Sequence, residues 1–218
     1  MQVTEPQNAI LQRDKKTYAI VPRIPCGLLH RSNLRAIADV VEKYDIPIVK
    51  LTSGQRIALV GLKEEDLKSV YHDLGMDPGK ATELCLHYVQ ACPGTEVCKF
   101  GVRDSLGFGI QIENLLAGNE MPAKLKIGVS GCQFCCAENF VRDIGVLGKK
   151  NGWTISFGGH SGNRARVGDI LATDLSDDEA IQLINKCVEF YSTNAKKKER
   201  ASRFIERVGL DEFKNNVL

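Results

Sequence analysis

The chain has 218 residues, of which 43% are hydrophobic and 26% charged, as is ordinary for a globular protein of one large or two small domains. Its formal net charge of +2 argues against a nucleic-acid coat or a membrane-surface protein. No apolar run approaches the roughly 18 residues of a membrane span, and the N-terminus has no signal-peptide core, so we expect a cytoplasmic protein.

The first half is predicted to follow the order βαββα. Ser32 is the predicted N-cap of its first helix, and Gly75 ends its second. The strands are predicted at residues 16–22, 48–51 and 56–60, and the helices at residues 32–44 and 63–74. This order is half of a ferredoxin-like α+β layer and defines a domain at residues 1–78. Because such a half-sheet has exposed edges, it should pair with another segment or copy.

The second half, residues 79–218, is predicted as an α/β domain. Ser176 and Glu179 form a capping box at the start of one helix, and a glycine-rich loop occupies residues 158–163. Helices are predicted at residues 81–90, 97–117, 177–191, 199–208 and 211–217, and strands at residues 124–129, 141–147, 153–157 and 166–172.

Eight cysteines in a chain without a secretory signal indicate metal or redox chemistry before disulfides. Four of them form two short pairs, Cys92-x5-Cys98 and Cys132-x3-Cys136. Two pairs on separate loops can supply the four thiolates of a [4Fe-4S] cluster. The predicted helix from residue 97 would also place Cys98 at a helix N-terminus, which favours bound negative charge.

Zinc remains the alternative metal. Cys132-x2-Cys135 has a zinc-like spacing, whereas the five residues between Cys92 and Cys98 exceed the usual two to four. The spacing therefore favours a cluster over zinc without excluding zinc. Cys85 and Cys187 are predicted to be core residues, since free cysteine is usually buried.

The two cysteine pairs, in this context, resemble the signature of the sirohaem-dependent sulfite and nitrite reductases. The resemblance runs in one order over nearly the whole chain. It includes RIPCG at residues 23–27, KLTSGQR at 50–56, CKFG at 98–101, KLKIGVSGC at 124–132 and GGH at 158–160.

This resemblance implies a [4Fe-4S] cluster on Cys92, Cys98, Cys132 and Cys136. Cys136 would also bridge the cluster to the iron of sirohaem. Cys135 is expected to be a free thiol near the cofactor. Cys26 stands where the family usually has glycine and is expected to be packed.

The resemblance further implies a site for an oxyanion, which requires fixed positive charge. Lys124 and Lys126 lie two apart on a predicted strand and so share a face. The pattern alone favours solvated lysines, but the family uses a lysine pair of this kind together with arginines, such as Arg23. His160 is a candidate proton donor.

Sirohaem carries many carboxylates, so its pocket needs basic and polar groups. Gly54 stands where the family often has arginine, which leaves one expected contact without its residue. The candidate sirohaem contacts are Lys50, Thr52, Gln55, Arg56, Arg103, Arg164 and Arg166, beside Cys136.

The resemblance therefore implies the six-electron reduction of sulfite to sulfide, or of nitrite to ammonia, with sulfite modestly favoured. Larger family members contain the module twice, which leads us to expect a homodimer here. The sequence has no ferredoxin, flavin or NAD motif, so we expect an external low-potential donor such as a ferredoxin. An iron–sulfur or sirohaem accessory protein without reductase activity is the alternative.

Overall fold

The computed structural model describes residues 8–79 and 84–218. Contacts divide the chain between Glu83 and Leu84 into two compact units. Within the described ranges, no helix is both long and apolar enough to cross a lipid bilayer.

The first unit is an antiparallel sheet with two helices, and it confirms the ferredoxin-like half-module. The strand order is β1-β2-β4-β3. Strand β1 was not predicted. The elements are β1 (Ala9–Leu11), β2 (Tyr18–Ile20), α1 (Arg31–Lys43), β3 (Ile48–Leu51), β4 (Ile57–Leu62) and α2 (Leu67–Leu74).

The prediction of Ser32 as N-cap was wrong, because α1 begins one residue after His30. The His30 side chain accepts from the backbone of Asn33, and the Asn33 side chain accepts from the His30 N–H at 3.1 Å. This reciprocal pair satisfies the first free N–H groups of the helix without the usual Ser or Thr. Gly75 ends α2 in the left-handed conformation, as predicted.

Strand β3 forms one edge of this sheet. Its side chains are exposed, including Ile48 at 54%, Val49 at 48% and Leu51 at 73%. An exposed apolar edge strand offers unpaired backbone groups to another chain.

The second unit is a mixed five-stranded sheet with helices, in the order β5-β6-β7-β8-β9. Strands β5, β6 and β7 are parallel, whereas β8 and β9 are antiparallel to their neighbours. The elements are β5 (Leu86–Ala91), α3 (Ser105–Leu116), β6 (Leu125–Ser130), β7 (Ile144–Gly148), β8 (Trp153–Phe157), β9 (Asp169–Leu175), α4 (Asp177–Asn194), α5 (Ala201–Val208) and α6 (Leu210–Val217).

Two predicted helices differ from the structure. The helix predicted at residues 81–90 is wrong over its described part, where Leu86–Ala91 is strand β5; residues 81–83 lie outside the described chain. Helix α3 begins at Ser105 rather than at residue 97, because the Asp104 carboxylate caps it by accepting from the Gly107 N–H at 2.9 Å. Cys98 therefore lies in a loop and not at a helix N-terminus.

Three strands of this unit are displaced from their predicted bounds. Strand β6 begins at Leu125, which leaves Lys124 just before the strand. Strand β7 covers Ile144–Gly148 rather than residues 141–147, and β9 covers Asp169–Leu175 rather than residues 166–172. The predicted capping box of Ser176 and Glu179 is confirmed at the start of α4.

The two faces of the second sheet differ in chemistry. On one face, Trp153 stacks on Phe108 of α3 at 4.5 Å and Phe157 stacks on Phe213 of α6 at 4.4 Å. The opposite face, which we call the polar face, includes Lys126, Gly128, Ser130, Gly145 and Ser156. The helices thus bury the apolar face, and the candidate site lies along the other.

Candidate metal and anion site

The two cysteine pairs follow two neighbouring parallel strands. Cys92 comes directly after β5, and Cys132 comes two residues after β6. Because β5 and β6 are parallel, with Ala91 opposite Val129, both pairs leave the sheet at the same end. Carboxyl ends of parallel strands are where open α/β sheets place their ligands.

Direct contacts hold the two cysteine loops together. The Gly131 N–H donates to Cys92 Sγ at 3.2 Å, and the Val102 and Arg103 N–H groups donate to the Gly131 carbonyl at 2.9 and 3.1 Å. Glycine is required at 131, since a Cβ there would stand 2.5 Å from the Arg103 carbonyl oxygen. Hydrogen bonds to cysteine sulfur are among the interactions that tune iron–sulfur clusters, so this loop pair fits such a group.

The second loop bends sharply around Cys135. Cys135 and Glu138 both adopt left-handed backbone conformations, with φ of 54° and 55°. Burial raises the pKa of the Cys135 thiol, and the nearby Cys132 and Cys136 sulfurs raise it further. Cys136 is exposed, whereas Cys132 and Cys135 are partly covered.

All four predicted ligands are free thiols. In the part of the chain that the structure describes, no three His, Cys, Asp or Glu side chains are grouped to hold a metal ion. Cys26, Cys85 and Cys187 are buried, which confirms the predicted packing of these three cysteines.

After the cysteines, the chain turns back along the polar face. The Ala137 N–H donates to Ser130 Oγ at 3.0 Å, and Asn139 Nδ2 donates to the Gly128 carbonyl at 3.1 Å and to the Val146 carbonyl. The Ser130 hydroxyl donates to Asn139 Oδ1 at 2.5 Å. These bonds bind the segment after Cys136 to β6 and β7.

Arg142 is a buried cation beneath this segment, with 4% of its surface exposed. Its guanidinium donates to the Tyr88 hydroxyl at 2.8 Å, to Gln90 Oε1 at 2.6 Å and to Glu138 Oε2 at 2.5 Å. Its Nε, also buried, has no hydrogen-bond partner among the described residues. Because Glu138 lies two residues after Cys136, Arg142 connects the cysteine loop to β5.

Asp143 is the buried anion next to it. Arg200 donates to both of its carboxylate oxygens, at 2.7 and 2.9 Å, and the Lys126 N–H donates to Oδ2 at 2.9 Å. Burial raises the pKa of Asp143, and Arg200 opposes that shift. The Asp143 side chain is fully covered and the Arg200 side chain is 26% exposed.

Lys126 and His160 lie near this pair. Lys126 Nζ is 5.7 Å from the centre of the Tyr88 ring, which Arg142 also approaches at 5.6 Å. Burial lowers the pKa of Lys126, and Arg200, Arg142 and Lys124 lower it further, while Asp143 opposes them. Burial likewise lowers the pKa of His160, as do Arg200, Lys126 and Arg203. Because these cationic groups repel one another and are partly buried, a bound anion would be stabilised beside them.

The predicted arginines of the second unit have different surroundings. Arg103 donates from Nε and Nη2 to the carbonyls of Lys149 and Lys150, at 3.1 and 3.2 Å. Arg166 Nη2 donates to Asp169 Oδ2 at 2.5 Å, and its Nη1 donates to the Gly158 carbonyl. Arg164 is exposed.

The predicted residues of the first unit lie at two turns and on the strands that flank them. A Cβ on Gly27 would stand 2.8 Å from Gln55 Cβ, so the turn after Arg23 touches the turn between β3 and β4. Arg23 forms an ion pair with Asp77 at 3.7 Å.

The other three candidates of this unit belong to the second of those turns and its strands. Thr52 Oγ1 accepts from the Arg56 N–H at 3.2 Å. The Arg56 side chain is buried, whereas Lys50 is exposed on β3.

Sequence reasoning missed Arg142, Asp143 and Arg200. The available signal for Arg142 and Asp143 was that these two adjacent charged residues stand in an otherwise apolar segment, VRDIGVL. Charged residues in such a segment are buried only when they are paired. Nothing in the sequence marks Arg200 as their partner 57 residues later.

Comparison with known proteins shows the family. The model described as "Nitrite and sulphite reductase 4Fe-4S domain" matches residues 84–218, and that described as "Nitrite/Sulfite reductase ferredoxin-like half domain" matches residues 10–76. The chain belongs to the nitrite and sulfite reductase family, a family of oxidoreductases.

Among curated relatives, an assimilatory-type sulfite reductase of Nitratidesulfovibrio vulgaris is 55% identical over 98% of both chains. The nitrite reductase [NAD(P)H] of Bacillus subtilis is 42% identical over 95% of this chain, which spans only 26% of that relative. The solved structure of dissimilatory sulfite reductase I has a TM-score of 0.81 at 15% identity, covering 92% of this chain and 69% of that one. At that identity the structural match shows the fold.

Proposed function

We propose that this protein reduces sulfite to sulfide, or nitrite to ammonia, by six electrons with a [4Fe-4S] cluster and sirohaem. The observation that carries the proposal is the contact between the two cysteine loops at the shared end of β5 and β6, through the Gly131 N–H and Cys92 Sγ. The identity to a sulfite reductase along almost its full length supports sulfite over nitrite.

Cys92, Cys98, Cys132 and Cys136 would hold the cluster, with Cys136 shared with sirohaem. When bound, the two groups supply single electrons and an iron atom open to the oxyanion. The exposure of Cys136 supports its role as the bridging ligand, because that sulfur must face a second cofactor. The sirohaem carboxylates would be bound by Lys50, Thr52, Gln55, Arg56, Arg103, Arg164 and Arg166.

Lys124, Lys126 and Arg23 would bind the oxyanion substrate. Lys126 suits this role best on geometry, since it lies beside the Arg142–Tyr88 contact that leads to the Cys136 loop. A half-buried ammonium attracts an anion more strongly than a solvated one. Its lowered pKa also makes it a better proton donor to departing oxygen than an ordinary lysine.

We further propose a cytoplasmic homodimer that receives electrons from an external low-potential carrier and binds neither nucleic acid nor membrane. The exposed apolar edge of β3 supports self-association, because antiparallel pairing of two such edges would satisfy their unpaired backbone N–H and C=O groups.

Spectroscopy with metal analysis tests this function. Protein made anaerobically with sirohaem biosynthesis supplied should show isobacteriochlorin absorption bands, acid-labile sulfide and more iron than one cubane holds. A cluster without the tetrapyrrole would instead indicate an electron-transfer protein. Zinc without iron or sulfide would contradict the assignment of the cysteines.

The bridging role of Cys136 has its own test in Cys136→Ser, with Cys135→Ser as the matched control. The first substitution should abolish magnetic coupling between cluster and sirohaem and reduce turnover at least about a hundredfold, since replacing even an outer-shell partner of a metal site typically costs about 10–100-fold. The second should leave both within about twofold. Retained coupling in Cys136→Ser would refute the assignment.

A further inference from the structure

A cavity of about 410 Å³ opens beside Cys132. Its walls include Phe100, Val102, Phe134 and the two lysines at 149 and 150. The two phenylalanine rings meet edge to face at 5.3 Å, yet they are 53% and 64% exposed. Exposed aromatic side chains that contact each other mark an interaction surface, because solvating them costs free energy.

The rim of this cavity is positively charged. Lys149 and Lys150 are exposed in the turn between β7 and β8, and Lys99 Nζ lies 4.9 Å from the centre of the Phe100 ring. Among the described residues that line the cavity there is no carboxylate. An apolar centre with a charged rim is the usual organisation of a protein–protein interface.

We propose that this surface, the Phe100–Phe134 patch, docks an acidic electron-carrier protein that reduces the cluster. This inference rests on the proposed function and names the partner of the same site. Cys132, a proposed cluster ligand, lines the cavity, whereas Cys136, which would be shared with sirohaem, is exposed at the other end of the same loop and does not line it. The step moves one electron from the carrier's reduced centre to the cluster, and no bond or proton changes.

Charge is the reason to choose an acidic protein as the occupant. Three lysines around a patch steer an acidic carrier to it and keep basic carriers away, and their effect weakens as salt rises. The apolar rings would then exclude water from the short path to Cys132.

The test uses the holoprotein and a reduced acidic bacterial ferredoxin as the probe. The variant is Lys149→Glu with Lys150→Glu. The control is Lys15→Glu with Lys16→Glu, another exposed adjacent pair, located in the turn between β1 and β2. Calorimetry should show ferredoxin affinity reduced at least about tenfold in the first variant only, with a smaller salt dependence. Sulfite reduction driven by a small reduced dye should stay within about twofold in both.

A second variant, Phe134→Ser, tests the apolar centre. It should weaken ferredoxin binding while leaving the salt dependence unchanged. Unchanged affinity in both the lysine and the phenylalanine variants would overturn the proposal. Loss of the tetrapyrrole bands in the lysine variant would overturn the proposal and would indicate that the patch is a sirohaem pocket. Loss of self-association in the same variant would also overturn it and would indicate that the patch binds a second copy of this chain. If the wild-type holoprotein did not reduce sulfite with the dye, the proposed function would be contradicted. Calorimetry would still show whether ferredoxin binds to the Phe100–Phe134 patch.

Discussion

Asp143 shows how one buried residue organises the polar face. Both of its oxygens are occupied, by Arg200 and by the Lys126 N–H, so it fixes the start of β6 relative to the segment that precedes α5. Removing one partner of a buried ion pair leaves an uncompensated charge and is far more costly than the net stability of the pair itself.

Arg200→Gln should therefore lower the free energy of unfolding by about 3 kcal/mol at pH 8. The loss should be smaller at pH 5. Without Arg200, burial holds the pKa of Asp143 above its value in the unfolded chain. A group with a raised pKa in the folded state contributes stability at low pH, where it is protonated, and that contribution is lost as the pH rises through the raised pKa. Urea unfolding followed by circular dichroism at both pH values measures this.

Arg203→Gln is the control for that experiment. It breaks an exposed pair with Glu206 at 2.8 Å and should cost less than about 1 kcal/mol at either pH. An equal loss at pH 5 and pH 8 in Arg200→Gln would show that Asp143 does not titrate as described.

Lys126 makes a prediction about substrate binding. Because its pKa is lowered, Lys126 loses its charge at a lower pH than an ordinary lysine. The KM for nitrite should therefore rise as the pH increases through the lowered pKa of Lys126, since the neutral amine no longer attracts the anion. Lys126→Arg should flatten the profile, since arginine stays protonated, and Lys126→Met should raise KM about tenfold at neutral pH, or about 1.4 kcal/mol. Identical pH profiles in wild type and Lys126→Arg would remove Lys126 from the site.

At the scale of helices and strands, the sequence predicted an element correctly where a helical pattern was preceded by a capping residue. Helix α4 was predicted from its capping box, and the structure confirms the box and adds a stripe of buried apolar side chains. Strand β5 was missed because five of its six side chains are buried, and a fully buried strand has no alternation to separate it from a helix. The start of α3 was misplaced because Val97 and Phe100 have the i, i+3 spacing of a helical stripe while being exposed in the structure.

The cysteine loops were predictable from spacing, but the contacts that hold them were not. Neither the bond from Gly131 to Cys92 nor the bonds from Arg142 to Tyr88 and Gln90 follow from the order of residues, because they join separate elements. Side chains such as Arg200 contribute to the site only after folding brings them to Asp143.

Gly131→Ala tests the packing of the two loops. The added Cβ would meet the Arg103 carbonyl oxygen at 2.5 Å and Gly94 Cα at 2.9 Å. We expect the loops to separate, with loss of most cluster iron and about 1–3 kcal/mol of stability. Iron and sulfide analysis of the purified protein measures the first effect.

Gly118→Ala is the matched control, because its Cβ would meet nothing within 4 Å although its φ is +85°. It should retain a full cluster. Full iron content in Gly131→Ala would mean that the close approach of the loops is not needed for assembly.

At the scale of the whole molecule, the exposed edge of β3 predicts a dimer. The holoprotein should sediment at twice the mass of one chain, and Val49→Lys with Leu51→Lys should make it monomeric, since lysine on an edge strand prevents edge pairing. Leu115→Lys, on the partly exposed α3, is the control and should leave the dimer intact. A wild-type holoprotein that sediments as a monomer at micromolar concentration would contradict the dimer.

Electron counting is the most direct test of the central claim. The fully loaded protein, supplied with a reduced dye and sulfite, should oxidise dye equivalent to six electrons for each sulfide formed. Nitrite should give ammonia with the same count. A protein that contains both cofactors but oxidises no dye on addition of either anion would contradict the assignment as a reductase.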